Sequence, residues 1–250
     1  MQSRNFSKLE QKCLRIYRET KKFNAMAQLC ENSAFTFEIL MGPPIARTPV
    51  LFIGYQPGGW ELCPLCARRA GYEEWWVRQE CHYSDAKWLL ARKLRDIFDE
   101  KFLAKCVGTN AIFVRAKNVA TYFNVVERVP RREIKEFCIR KVSQLIDLID
   151  PNRIIIIGFG TAGLFGPVTP DPANPKVLKS LRIGNREALA VKHLTGSRLT
   201  RAEFETIRTR LRGYCGLPKL ERAAPNQTDY SAESLSAAGV PLRRDGRSSP

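Results

Sequence analysis

Apolar residues at Phe6, Leu9, Cys13, Ile16, Tyr17, Phe23, Met26 and Leu29 fall three or four positions apart for much of residues 5–31. That spacing predicts one or two amphipathic helices, with the intervening Lys and Arg as the solvated face. Pro43, Pro44 and Pro49 mark residues 42–49 as a connector, and the apolar run from Val50 to Ile53 then reads as a buried strand. Asp85 is the expected N-cap of a helix through about Lys101, with Trp88, Leu89, Leu94, Ile97 and Phe98 on its inner side. A second strand is expected at Asn110–Arg115, a helix at about Arg131–Ile149, and a third strand at Arg153–Gly158. The β-branched run Ile154–Ile157 suits a parallel strand buried on both faces. Lys176–Ile183, Gly184-Asn185 and Arg186–His193 form a hairpin or a turn into a fourth strand, and Arg201–Arg212 closes the pattern as a helix. Alternating strands and helices indicate an α/β protein. The expected organisation is an N-terminal helical segment over residues 1–47, an α/β domain over 48–216, and a disordered tail over 217–250. That tail is rich in Pro, Ser, Ala and Arg and poor in apolar periodicity.

Charge narrows the choice of partner. The chain has 41 Lys and Arg against 25 Asp and Glu, a formal net charge of +16 over 250 residues. Residues 222–250 account for only +1 of this, leaving +15 on residues 1–221, so the folded part is the basic part. A surface of that sign attracts polyanions, and nucleic acid is the default partner. No stretch approaches the ~18 consecutive apolar residues of a membrane span, and Met1–Lys12 has no apolar signal core. An intracellular, cytoplasmic protein without a membrane partner is therefore expected, acting as a monomer.

Eight cysteines without a secretion signal read as reduced thiols or metal ligands rather than a disulfide framework. Only Cys63-Pro-Leu-Cys66 has ligand spacing, followed fifteen residues later by Cys81-His82. Adjacent Cys81 and His82 reach one tetrahedral ion with difficulty. Structural thiols and no cofactor are the simpler expectation, with zinc or an iron–sulphur cluster on Cys63, Cys66 and Cys81 as the alternative.

The first strand leads into Gly54-Tyr55-Gln56-Pro57-Gly58-Gly59. Glycine lets backbone approach a substrate and proline fixes one turn, so Tyr55 and Gln56 are held at the carboxyl edge of a parallel sheet, where ligands bind. An ordinary strand-exit turn would use the same residues. Beyond it, residues 58–84 form a long irregular insertion holding Trp60, Trp75, Trp76 and Tyr83. The run Gly158-Phe-Gly160-Thr-Ala-Gly163 formally matches a dinucleotide fingerprint, but Gly166-Pro167 stops any helix after a turn or two, and no acidic residue follows at the end of a next strand. Lys192-His193-Leu194-Thr195-Gly196-Ser197-Arg198 is another short loop after an apolar strand.

Three elements in this order, Gly54-Tyr-Gln-Pro-Gly58, Thr109-Asn110 and His193-Leu-Thr-Gly196, resemble the motifs of the uracil-DNA glycosylase superfamily. The likeness spans about residues 48–212. It implies a three-layer α/β/α fold with a small, mostly parallel four-stranded central sheet, and hydrolysis of the bond between a deaminated base and deoxyribose in single- or double-stranded DNA during base excision repair. On this reading His193 stabilises the departing base and Asn110 reads it. Gln56 orients water where the family places an Asp, Asn or other polar residue. Gly54, Tyr55, Pro57, Gly58 and Thr195 shape the pocket, and Lys192, Ser197 and Arg198 contact DNA. The stacking aromatic is one of Tyr55, Trp60, Trp75, Trp76 and Tyr83. The chain departs from the pattern in having no acid in the first motif, Leu194 in place of Pro and Thr195 in place of Ser. A non-catalytic nucleic-acid binder with the same fold is the alternative.

Overall fold

Ile154 to Ile157 explains the architecture in four residues. In the computed structural model, which describes residues 6–26, 37–57, 81, 83–115, 131–195 and 199–218, this strand lies in the middle of a sheet and all four side chains are buried. Ile154 and Ile156 join one apolar cluster, Ile155 and Ile157 the other. A strand covered on both faces needs no polar positions, hence the unbroken run.

The strands are β1 (Leu51–Gly54), β2 (Val107–Asn110), β3 (Ile154–Ile157), β4 (Thr169–Pro170), β5 (Leu178–Ile183) and β6 (Arg186–Val191). Their order in the sheet is β2-β1-β3-β6-β5-β4. The first four in that order are parallel, with Gly54 level with Asn110 and Leu51 level with Ile154. The helices are α1 (Lys8–Met26), α2 (Leu89–Ile97), α3 (Glu100–Ala104), α4 (Arg131–Ile149), α5 (Phe159–Ala162) and α6 (Arg201–Tyr214). Cys13 and Ile16 of α1 and Ile134, Val142, Leu145 and Ile149 of α4 cover one face. Leu94 and Ile97 of α2, Leu103 of α3 and Phe204, Ile207 and Leu211 of α6 cover the other. The result is the expected three-layer α/β/α class. Phe23 stacks on Phe137 at 4.2 Å between ring centroids, and Lys141 pairs with Glu19, joining α1 to α4.

Four details correct the sequence reading. The sheet has six strands, not four, because residues 178–191 fold as an antiparallel hairpin around Gly184, at φ +59°, and Thr169–Pro170 adds a two-residue edge. Proline, which has no N–H to donate, is tolerated there. The second strand is Val107–Asn110 rather than Asn110–Arg115, so Asn110 ends it. Gly108 hides that strand from a propensity reading, and its presence is tertiary: an added Cβ would stand 3.1 Å from both Met41 Cβ and Tyr83 Cε2. The helix expected from Asp85 to Lys101 is two helices broken at Phe98, and the working cap is Asp99, whose carboxylate accepts the Phe102 N–H at 2.7 Å. Trp88 and Leu89, expected to face inward, are exposed.

Residues 37–41 run antiparallel beside β2 and cover its free edge. The Glu38 N–H donates to Phe113 O at 2.9 Å, the Met41 N–H to Gly108 O at 2.8 Å, and the Thr109 hydroxyl to Ile39 O at 2.6 Å. These bonds satisfy backbone groups that an open edge would leave unpaired. Among the described residues no helix is long and apolar enough to cross a membrane. The tail proposed for residues 217–250 lies almost wholly outside the described residues.

Candidate functional site

All four parallel strands end on the same edge of the sheet, and each end carries one of the polar or glycine positions singled out above. β1 delivers Gly54, Tyr55, Gln56 and Pro57, and the chain after β2 holds this exit in place. The Ala111 N–H donates to Gly54 O and the Ile112 N–H to Tyr55 O, both at 2.8 Å. Pro57 is buried, while Tyr55 and Gln56 are half-buried. Tyr55 leans on the apolar cluster, and desolvation raises its hydroxyl pKa, keeping it a neutral phenol.

Gly54 is glycine because of Asn110. The two are paired in register, and a Cβ built on Gly54 would lie 2.6 Å from Asn110 Oδ1. The Asn110 amide therefore lies against the β1 backbone. The residue is 3% exposed, and its Nδ2 is buried without a hydrogen-bond partner. Leaving a buried donor unsatisfied costs about 1–3 kcal/mol, so such a group calls for a reason. A ligand carbonyl is one that an amide at a strand end can meet.

β3 and β6 supply the second pairing. Gly158 sits at φ +94°, a conformation that disfavours any side chain. Its missing Cβ would touch His193 Cδ2 and Thr161 Oγ1, each at 3.4 Å. The Thr195 N–H lies 3.3 Å from His193 Nδ1 and the Thr195 hydroxyl 3.0 Å from it. A backbone N–H can only donate, so Nδ1 holds the lone pair and the neutral ring carries its proton on Nε2. Desolvation lowers the pKa of His193, which favours that neutral form. The ring is thus prepared to donate through Nε2–H. Leu194, noted above as a departure from the resembled motif, is 2% exposed and anchors the loop in the core.

Asn110 and His193 stand on the outer members of the parallel set. Their strand ends are separated by three inter-strand spacings of about 4.8 Å, roughly 14 Å in all, with β1 and β3 between. The Asn110 side chain lies against Gly54 at the exit of β1 and the His193 ring against Gly158 at the exit of β3, so both lean toward the middle of the parallel set. Lys192 is committed elsewhere: its Nζ meets both carboxylate oxygens of Glu203, at 2.8 and 3.0 Å. Glu203 in turn completes the capping box of α6 with Thr200. This ion pair, with the N-cap bonds, holds the Glu203 carboxyl below its ordinary pKa.

Gly58, Cys63, Cys66, Ser197 and Arg198, with Trp60, Trp75 and Trp76, lie outside the described residues. Cys81 is fully buried, and among the described residues no three His, Cys, Asp or Glu side chains are grouped to hold a metal ion. Burial pushes the thiols of Cys13 and Cys138 up to about 12 and that of Cys106 higher still, so these sulphurs stay protonated. Tyr83 is buried edge-on against Phe52 and is a core residue. The glycine run after β3 leads into a helix of only four residues, as its Gly-Pro stop predicts.

Two features escaped the sequence reading. One is Gly158 as the gap beside His193, signalled only by a glycine at a strand end. The other is an open cleft of about 370 Å³ lined by Leu89, Lys93, Leu194, Thr195, Arg201 and Phe204, among others, directly beside the His193 loop. Nothing in the local sequence pattern marks it. No protein-family model and no curated protein matches the chain, which leaves the geometry of these strand ends as the ground for its function.

Proposed function

We propose that the chain is a DNA glycosylase that hydrolyses the N-glycosidic bond of uracil or another deaminated base. The observation that carries this reading is the buried Asn110 amide, an unpartnered donor with an acceptor oxygen beside it, at the end of a strand level with the Gly54 loop. Nδ2 can donate to uracil O4 while Oδ1 accepts its N3–H; cytosine presents the reverse polarity at both atoms and is refused. A base reaches such a site only when flipped or already unpaired.

In the reaction the C1′–N bond breaks with its electron pair passing to the base, leaving positive charge on the sugar. The Nε2–H of His193 donates to O2 and stabilises the anionic base. Water, oriented by Gln56, adds to C1′, and its proton ends on the base nitrogen. Glutamine holds water but does not take a proton at neutral pH, so the step draws its assistance from leaving-group stabilisation rather than from a general base. The lack of a carboxylate at this position also favours a second reading, a nucleic-acid binder that retains the pocket without turnover.

The two readings differ in product. Oligonucleotides carrying uracil, hypoxanthine or xanthine, single- and double-stranded, are incubated with the purified chain and treated with alkali. The expected result is strand breakage at one of these bases, slowed about a hundredfold or more by His193→Ala. Absence of alkali-labile sites on every substrate would overturn catalysis and leave the binder.

A further inference from the structure

We infer that the open cleft beside the His193 loop holds the nucleotide that neighbours the target in the DNA strand, with its phosphates on Lys93 and Arg201 and its sugar against Leu89. The cleft measures about 370 Å³, within the ~300–1,000 Å³ of small-ligand sites. Lys93 reaches it from α2 and Arg201 from the start of α6, while Leu89, Leu194 and Phe204 give it an apolar lining. Among the described residues that line it none is acidic. An apolar wall with a few charged groups is the usual form of an organic-ligand site, and here the charges have the sign that a phosphate seeks.

Both cations are open to an anion. The Lys93 ammonium stands 4.6 Å from the centre of the Phe204 ring, a contact that keeps its charge at the cleft without neutralising it. Asp96 lies 4.0 Å from Lys93 and is exposed, so this pair holds the ammonium weakly. The carboxylates that follow Arg201 are engaged: Glu203 is held by Lys192 and the α6 cap, and Glu205 by Arg208. Among the described residues no carboxylate pairs with Arg201.

The place of the cleft identifies which nucleotide it takes. Leu194 and Thr195, the two residues after His193, both line it. The Thr195 hydroxyl also stands 3.0 Å from His193 Nδ1, so one short loop borders the cleft and holds the ring that donates to the base. A nucleotide seated there is next to the one whose base meets His193. In this respect the inference rests on the proposed function, but its test does not, because the quantity measured is binding of undamaged DNA. A chain inactive on every base whose DNA affinity still depends on the cleft refutes catalysis alone. An active chain whose affinity is indifferent to the cleft refutes the subsite alone.

Affinity of the full chain for an undamaged, fluorescein-labelled single-stranded oligonucleotide is measured by anisotropy across a salt series. Lys93→Met keeps the apolar stem over Phe204 and removes the charge, and Arg201→Gln acts at an exposed position. Each should lower the slope of log K against log salt by about 0.7, the value of one single-strand phosphate contact. Leu89→Gln, at a residue 45% exposed, should weaken binding about 3- to 10-fold and leave the slope unchanged. Arg182→Gln, at the other end of the β5–β6 hairpin from the His193 loop, should change neither. An unchanged slope in Lys93→Met or Arg201→Gln overturns the proposal, and so does an equal fall in Arg182→Gln, which would make the slope a property of the whole basic surface. Competition by thymidine 5′-monophosphate at the oligonucleotide's own affinity would assign the cleft to a free nucleotide and overturn the strand subsite.

Discussion

Replacing Gly54 by alanine tests whether the Asn110 amide is placed by the absence of a side chain opposite it. Gly54 is not among the residues with positive φ, so alanine meets no backbone strain. Its Cβ meets Asn110 Oδ1 at 2.6 Å, where ordinary contact begins near 3.4 Å, and the amide must retreat by about 0.8 Å. Overpacking of this kind costs about 1–3 kcal/mol, offset by the ~0.4–1 kcal/mol that Gly→Ala gains through a less free unfolded chain. The net destabilisation is therefore at most about 2–3 kcal/mol, and the protein should remain folded. The effect on base release is larger in proportion, since a misplacement of about 1 Å at a reacting group costs on the order of a hundredfold. Single-turnover cleavage of a uracil oligonucleotide and urea unfolding measure the two effects. In an Asn110→Ala background the clashing oxygen is gone, so Gly54→Ala should become neutral or slightly stabilising, giving a coupling energy of about 0.5–3 kcal/mol. Equal destabilisation in both backgrounds, or a Gly54→Ala enzyme with the wild-type rate, would refute the placement argument.

The lowered pKa of His193 gives a pH prediction with a definite sign. The folded protein binds this proton less readily than the unfolded chain, whose His titrates near 6.5, so the neutral donor persists as pH falls through about 6.5 and stability declines below it. Single-turnover rates should hold level to below pH 6.5 before an acid limb appears, and His193→Gln should lack the limb; a limb centred above 6.5 contradicts the assignment. In the core, Phe52 is fully buried with ring centroids 5.6 Å from Tyr83 and 5.8 Å from Phe98, so Phe52→Ala should cost about 3–5 kcal/mol in urea unfolding, and a cost below about 1.5 would mean the core is not packed as described.

What could be read from the chain was whatever depends on neighbours in sequence. Helix α4 occupies the predicted Arg131–Ile149 because its apolar period is set locally, and β3 follows from four β-branched residues in a row. β2 was displaced because Gly108 answers to Met41 and Tyr83, which lie far away in sequence. Trp88 and Leu89 are exposed rather than inward because the helix begins at Leu89, not after Asp85, a shift that the local apolar pattern does not reveal. At the site, the sequence placed Gly54, Gln56 and His193 at strand ends. It could not show that Gly54 opposes Asn110, that Gly158 opposes His193, or that Lys192 is held by Glu203. Each of these is a matter of register or docking between distant segments.

The same distinction governs the use of net charge. Every ion pair removes one cation and one anion, so the excess of +16 is unchanged by pairing, but its location is decided by it. Arg47 and Arg186 share Asp150, Arg115 holds Glu38, Lys141 holds Glu19, Lys192 holds Glu203 and Arg210 holds Asp171. These cations fasten one layer or loop to another, and a phosphate approaching any of them must compete with a carboxylate already in place. The loop motif that begins at Lys192 thus overstates the pull of that residue. Among the described residues Arg201, nine residues on, has no such carboxylate, and its field extends toward solvent beside the His193 loop.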